Sequence, residues 1–319
     1  MRAITVADVG EFGVVERLIA RFAAGADQPA GVVLGPGDDA AVLAAPDGRV
    51  VATTDLLVDT RHFRRDWSAP DDVGRKAAAQ NLADIAAMGA VPTGLLVGLA
   101  VPPDLPVDWL EGLADGMRTE CAKVRVTVVG GDVVRAETLM LAITALGDLQ
   151  GRAPITRSGA RPGDVVAVTG RLGYAAAGLA VLGRGFRSPV SVVAAHRRPE
   201  PPYAEGPRAA GLGASAMVDV SDGLVADLTH VALASGVGIE LDTAKLAVPA
   251  KLRDVGGALG VDPMDWILSG GDDHALAATF PGGAPPPAPW TVIGRVARGR
   301  GVLVDGSAYE APGGWDHFR

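Results

Sequence analysis

Apolar positions recur along the chain in compact runs separated by turn-forming residues, and their lengths and periods separate strands from helices. The runs 50–52, 95–101, 124–129 and 139–146 are short, apolar and bounded by Gly, Pro or Asp, which predicts mostly buried strands. Helices are expected between them. One starts after Ser68, with Pro70 and the acids Asp71 and Asp72 in its first turn, and ends near Gly89, as capping and the helix dipole favour. Another covers 107–123. Between 147 and 163, Gly151, Pro154, Gly159, Pro162 and Gly163 break the periodicity and mark a boundary. The pattern then restarts, with strands expected at 164–169, 216–220, 237–241, 274–280, 291–296 and 302–304, and helices at 174–182 and 224–234. The Gly- and Pro-rich stretch 281–289 reads as a loop. Two α/β halves result, 1–150 and 151–319, an organisation suited to a cleft between domains.

A chain of 319 residues, 48% hydrophobic and 21% charged, has enough apolar surface for a large core, which excludes general disorder. Lys and Arg number 29 against 37 Asp and Glu, for a formal net charge of −8. That balance argues against a nonspecific grip on nucleic acid or an anionic membrane, so neither is expected as a partner. The acids are lopsided, 28 Asp to 9 Glu, and Asp is the shorter carboxylate, favoured where a turn or a metal is held by tightly placed loops. Cys121 is the one cysteine, which excludes an intrachain disulfide and any multi-cysteine metal site. Asp8, Glu11 and Glu16 spoil a signal-peptide core, and the longest apolar stretch, 94–101, is too short to span a bilayer. A cytoplasmic protein is expected.

Five acidic clusters sit where a predicted element meets a turn: Asp38-Asp39, Asp55, Asp132, Asp219 with Asp222, and Asp272-Asp273. Carboxylates that converge repel one another unless cations neutralise them, and hard oxygen donors of this kind suit Mg²⁺ bridging to substrate phosphates. Gly35-Pro36-Gly37-Asp38-Asp39-Ala40 formally matches a dinucleotide fingerprint, but two carboxylates in that turn would face a pyrophosphate directly. The turn is either purely structural or a metal site. Thr53-Thr54-Asp55 can complete an oxygen shell or simply close a strand. Asn81 and Asp84 share a helix face among Ala77, Ala78, Ala79, Ala83, Ala86 and Ala87, so Asp84 emerges from a tightly packed surface and needs a cation or donors. Ser221 or Asp222 can cap the following helix, whereas Asp219 lies inside an apolar strand where capping is unavailable to it. His62 can hydrogen-bond a phosphate or a ring substituent, or be an ordinary surface histidine. No Walker loop occurs, since none of the four lysines follows a glycine, and Arg157 at the domain junction offers a phosphate fork instead.

Taken in order, GPGDDAAV, TTDLLVDTRHF, NLADIAAMGA, GGDVV, TRSGARPGD, VTGRLGYAAAGL, the Arg198-Pro199 segment, MVDVSDGLVADL, SGGDDHAL and GGWDHF span nearly the whole chain. Together they resemble the thiamine-monophosphate kinase family, of the superfamily that includes aminoimidazole-ribonucleotide synthetase. The resemblance implies a two-domain α/β (α+β) PurM-like fold, a homodimer joined through its N-terminal sheets, and ATP-dependent phosphorylation of thiamine monophosphate with several Mg²⁺ ions. It further implies that Asp39, Thr53, Thr54, Asp55, Asp84, Asp132, Asp219 and Asp222 are Mg²⁺ ligands. Gly131, Asp132, Arg157 and Ser221 would then contact ATP, and His62, Asp272 and Trp315 thiamine phosphate, with no side chain as general base. The family usually reads GGEDYEL where this chain has Gly270-Gly271-Asp272-Asp273-His274-Ala275-Leu276, a carboxylate one methylene shorter and a histidine for a tyrosine. Another ATP-using member of the superfamily is the nearest alternative. Selenophosphate synthetases and the hydrogenase-maturation dehydratase, however, place a reactive cysteine near one terminus, unlike Cys121, and the synthetase itself lacks GGWDHF. A noncatalytic metal-binding scaffold would bind cations without turning over ATP.

Overall fold

The computed structural model describes residues 4–23, 31–36, 40–283 and 285–309. They fall into two compact units, the first within 1–85 and 91–151, the second within 86–90 and 152–319.

The first unit opens with helix α1 (Val6–Ala23), interrupted at Gly10, and a short antiparallel pair, β1 (Val32–Leu34) and β2 (Val42–Leu43). There follow β3 (Val51–Val58), α2 (Pro70–Ala87), β4 (Val91–Val101), α3 (Val107–Ala122), β5 (Val128–Arg135) and β6 (Met140–Asp148). Four of these strands form a sheet in the order β3-β6-β4-β5, antiparallel except for the β4/β5 pair.

Two strands differ from the sequence expectation in a way that matters for the site. The strand starting near Val50 does not end at Thr53-Thr54-Asp55. It continues to Val58, paired residue for residue with β6 from Val51 opposite Gly147 to Val58 opposite Met140. Likewise Gly130, Gly131 and Asp132 do not close a strand from Val124, because β5 begins at Val128 and runs on beside β4 until Arg135 lies opposite Val101. Glycines and acids read as breakers from local propensity, and sheet pairing overrides them. Asp55 and Asp132 are therefore strand residues rather than turn residues.

Side chains alternate across this sheet. Leu57 and Ile143 are buried on the inner face, whereas Leu56, Ala142, Gly98 and Asp132 form one cross-strand row on the outer face. That outer face leaves Leu56 53% and Val134 52% exposed, with Met140 and Leu96 also uncovered. Helices α2 and α3 approach each other so closely that a Cβ on Gly116 would lie 2.2 Å from the Asp71 carbonyl oxygen, and one on Gly74 2.0 Å from that of Leu113. Only glycine permits such backbone contact.

The second unit contains β7 (Val165–Thr169), α4 (Tyr174–Gly183), α5 (Val190–Arg197), α6 (Glu205–Gly211), β8 (Ala216–Val220), α7 (Leu224–Ser235) and β9 (Gly238–Leu241). After a single 3₁₀ turn come α8 (Ala250–Leu259), α9 (Pro263–Ser269), β10 (Ala275–Phe280), β11 (Thr291–Ala297), β12 (Gly301–Val304) and β13 (Ser307–Ala308). The strands form a sheet in the order β13-β12-β9-β11-β7-β10-β8, parallel only between β12 and β9. Its core gathers Ala167, Met217, Leu276, Ala278 and Phe280 with Ala209 of α6, and Phe280 meets Trp290 edge to face at 5.2 Å. Every residue of β8 and β10 is buried, which explains why their apolar runs were recognisable. Among the described residues no helix is long and apolar enough to cross a membrane.

Candidate active site

In the first unit three of the candidates, Thr53, Asp55 and Asp84, meet at the β3/α2 contact. Thr53 Oγ1 donates to Asp84 Oδ2 at 2.7 Å, joining a strand hydroxyl to the helix carboxylate. Two residues on, the Asp55 N–H donates to Asn81 Oδ1 at 3.1 Å, and Asn81 Nδ2 donates to the Ala77 carbonyl at 3.0 Å. Asn81 is fully buried with its amide used at both ends, so it fixes the helix against the strand that carries Asp55. Thr53, Asp55 and Asp84 share the inner side of the sheet. Thr54 is on the other side, its hydroxyl donating to the Ile143 carbonyl at 3.0 Å and accepting from Thr144 at 3.1 Å. Asp132 also lies on the outer face, with Oδ1 accepting from the Val133 N–H. At Gly131 a Cβ would come within 2.1 Å of the Val97 carbonyl oxygen, so no other residue fits. His62 Nδ1 accepts from the Val58 N–H at 3.0 Å, which places the proton of a neutral ring on Nε2 as a donor suited to an oxygen ligand.

In the second unit Asp219 projects from β8, almost fully buried, and its Oδ2 meets His274 Nδ1 at 2.9 Å. Helix α7 begins after Gly223 without a side-chain cap from Ser221 or Asp222. The backbone N–H groups of Asp222 and Gly223 instead donate to Asp227 Oδ2, at 3.0 and 3.1 Å. Burial, and then the nearby Asp219 charge, push the Asp227 carboxyl up to about 7. Ser221 receives the Asp272 N–H on its carbonyl at 2.7 Å, which brings the 271–274 segment alongside the Asp219–Asp222 turn. Asp272 lies between two histidines, 3.8 Å from His196 Nδ1 and 3.9 Å from His274 Nε2. Asp273 turns inward. Its Oδ1 accepts the Ala175 N–H at 2.9 Å at the start of α4, while its buried Oδ2 has no hydrogen-bond partner.

Arg157 is exposed on a loop anchored by Ser235 at the end of α7. Ser235 Oγ accepts the N–H groups of Gly159 and Ala160, both at 3.1 Å, and donates to the Arg157 carbonyl at 3.0 Å. Asp39 and Trp315 lie outside the described residues.

Carboxylates and threonine hydroxyls are the hard oxygen donors that Mg²⁺ takes, so the chemistry of the set fits that ion. Among the described residues, no three His, Cys, Asp or Glu side chains form a ready-made metal site. Sequence reasoning placed Asn81 and Asp84 on one face and missed Ser235, Asp227 and the contacts of His196 and His274. Those contacts join positions far apart in the chain, and no local pattern signals them.

Residues 37–149 match the model of the AIR synthase related protein N-terminal domain, and residues 161–276 that of its C-terminal domain. The chain is 50% identical to the thiamine-monophosphate kinase of Mycobacterium tuberculosis over 98% of its own length and 93% of that protein's. It is 41% identical to that of Corynebacterium glutamicum, covering 98% and 95% respectively. The solved structure of AaThiL complexed with AMPPCP and TMP superposes with a TM-score of 0.80 at 33% identity, covering 100% of both chains. The hydrogenase maturation protein HypE in complex with ATP shares the fold, at 19% identity, a TM-score of 0.70 and coverage of 93% of this chain and 90% of that one. With both domain models matched and close relatives aligned almost end to end, the chain belongs to the thiamine-monophosphate kinase family of AIR synthase related proteins.

Proposed function

We propose that the protein transfers the γ-phosphoryl group of ATP directly to the phosphate of thiamine monophosphate, giving thiamine diphosphate and ADP as the last step of thiamine diphosphate formation. The observation that carries this reading is the Thr53–Asp84 pair beside Asp55, an oxygen-donor set held by α2 against β3 in a chain half identical to a named kinase of this substrate. The ligands assigned to the Mg²⁺ ions are Asp39, Thr53, Asp55, Asp84, Asp219 and Asp222, together with Thr54 and Asp132, whose side chains lie on the opposite face of the first sheet from Thr53, Asp55 and Asp84 and would hold a different ion from those three. When bound, Mg²⁺ would screen the approach of two polyanions and stabilise charge on the transferring group.

The remaining roles belong to the chain's own side chains and backbone. Gly131 keeps the β5 backbone bare at a point where no side chain fits, and Asp132, Ser221 and Arg157 complete the ATP contacts, Arg157 on a loop whose shape Ser235 fixes. His62 offers Nε2–H, Asp272 a carboxylate and Trp315 an aromatic face to thiamine phosphate, whose thiazolium cation suits such a face. The acceptor phosphate is already anionic near neutral pH, with a second pKa of about 6, so no side chain acts as general base.

The outer face of the first sheet, with Leu56, Leu96, Val134 and Met140 uncovered, supports a homodimer in which a second copy covers it. Working domains of 1–150 and 151–319 and a cytoplasmic setting, where ATP is at hand and Cys121 stays reduced, complete the proposal. The test is turnover in Asp55→Asn and Asp84→Asn. Both are expected to fold normally and lose thiamine diphosphate formation at least 100-fold, and near-normal rates in both would sink the metal assignment.

A further inference from the structure

The 269–274 segment follows an unusual path. Asp272 and His274 both adopt left-handed backbone angles, φ 71° and 52°, a conformation disfavoured for residues with a side chain. The conformation is held by the Asp272 N–H on the Ser221 carbonyl at 2.7 Å and the His274 N–H on the Val220 carbonyl at 2.9 Å. Three consecutive side chains are thereby sent three ways. Asp272 stays partly exposed, Asp273 is driven into the start of α4, and His274 is turned onto Asp219. Strain of this kind persists where the surrounding structure over-determines it, and such places cluster at functional sites.

We infer that His274 is a positioning residue for the candidate phosphoryl-transfer site, orienting the Asp219 carboxylate through Nδ1 and facing Asp272 with Nε2. A carboxylate that ligates a cation has no proton to give, so in the loaded site His274 Nδ1 is the donor to Asp219 Oδ2, in a 2.9 Å contact whose two side chains are 7% and 5% exposed. With Oδ2 committed to the ring, rotation of the carboxylate is restricted and Oδ1 is fixed in direction. Partners that orient a carboxylate ligand in this way typically change metal affinity or activity 10–100-fold when removed. His274 Nε2 lies 3.9 Å from Asp272 Oδ1, and His196 Nδ1 lies 3.8 Å from Asp272 Oδ2. The ring therefore stands between the carboxylate assigned to the cation and the one assigned to thiamine phosphate. This inference rests on the proposed reading of Asp219 and Asp272.

The test compares wild type with His274→Leu and His274→Asn. Leucine removes both ring nitrogens, whereas asparagine tolerates the left-handed backbone and places an amide N–H near the Nδ1 position, without an edge toward Asp272. Mn²⁺ binding is followed by electron paramagnetic resonance, kcat and KM are measured for thiamine phosphate, and thermal unfolding reports folding. His274→Leu is expected to weaken Mn²⁺ binding and lower kcat about 10–100-fold. His274→Asn is expected to restore Mn²⁺ binding to within a few-fold while the KM for thiamine phosphate stays raised. Wild-type Mn²⁺ affinity in the leucine variant, or an asparagine variant no better than leucine, overturns the inference. Should the leucine variant not fold, asparagine decides alone: retained Mn²⁺ affinity with a raised acceptor KM supports the role, and lost affinity refutes it. A wild type that binds Mn²⁺ but makes no thiamine diphosphate would defeat the proposed function, and the Mn²⁺ comparison would still decide the role of His274.

Discussion

Replacing Asp273 by asparagine removes a carboxyl group whose burial weakens the fold increasingly as the pH rises. Burial pushes Asp273 from 3.8 up to about 7, against the opposing hydrogen bonds from the Ala175 and Gly173 backbone. The folded pKa lies above the unfolded one, so the contribution to stability is fully present below about 3.8 and is lost as the pH climbs through 7. At 1.36 kcal/mol per pKa unit the whole window corresponds to about 4 kcal/mol, of which about 2 kcal/mol falls between pH 5.5 and 8. Asparagine keeps the acceptor for Ala175 and does not ionise. Urea unfolding of wild type and Asp273→Asn at both pH values gives the difference directly, because Asp227 and every other titrating group contribute to both proteins. From pH 5.5 to 8 the stability of the variant relative to wild type is expected to rise by about 2 kcal/mol. Parallel pH profiles, with no relative gain, would refute the argument that Asp273 is held protonated by its surroundings.

Asn81→Ala removes a fully buried amide and leaves the part-buried Asp55 N–H without that partner, and a loss of about 1–3 kcal/mol is expected in urea unfolding; a loss under about 0.5 kcal/mol would deny the bond any weight. Gly116→Ala forces a Cβ onto the Asp71 carbonyl, and about 1–3 kcal/mol of destabilisation by overpacking should appear in the same assay, while a neutral result would contradict the close approach of α2 and α3. Ser235→Ala frees the Arg157 loop, so the KM for ATP should rise about 10-fold, matching the net value of a single hydrogen bond, with the KM for thiamine phosphate unchanged. Equal changes in both constants would show that Ser235 acts on the fold and not on the ATP contact.

What the sequence revealed and what it concealed divide along physical lines. Strands β8 and β10 are buried along their whole length, so mostly apolar runs announce them even with Asp219 and Thr279 inside. Strands β3 and β5 contain threonine, aspartate and glycine in their middles, and only their pairing with β6 and β4 shows that they continue. Helices α5, α6, α8 and α9 are 7–10 residues long, shorter than the stretch over which a helical period can be recognised from sequence. The acids themselves stood out because Asp219 sits in an apolar strand and Asp84 on an alanine-rich helix face. The groups that hold the candidate site did not. Asn81 reaches Asp55 across 26 positions, His274 reaches Asp219 across 55, and Ser235 reaches Arg157 across 78, separations at which local propensity carries no information.

The most direct test of the account is a ³¹P nuclear magnetic resonance time course of the purified protein with ATP, Mg²⁺ and thiamine phosphate, run beside unphosphorylated thiamine and a sample without acceptor. The account predicts diphosphate resonances of thiamine diphosphate growing in step with ADP, only with the monophosphate, and abolished by a chelator. Release of inorganic phosphate from ATP without thiamine diphosphate, or no turnover at all, would contradict it.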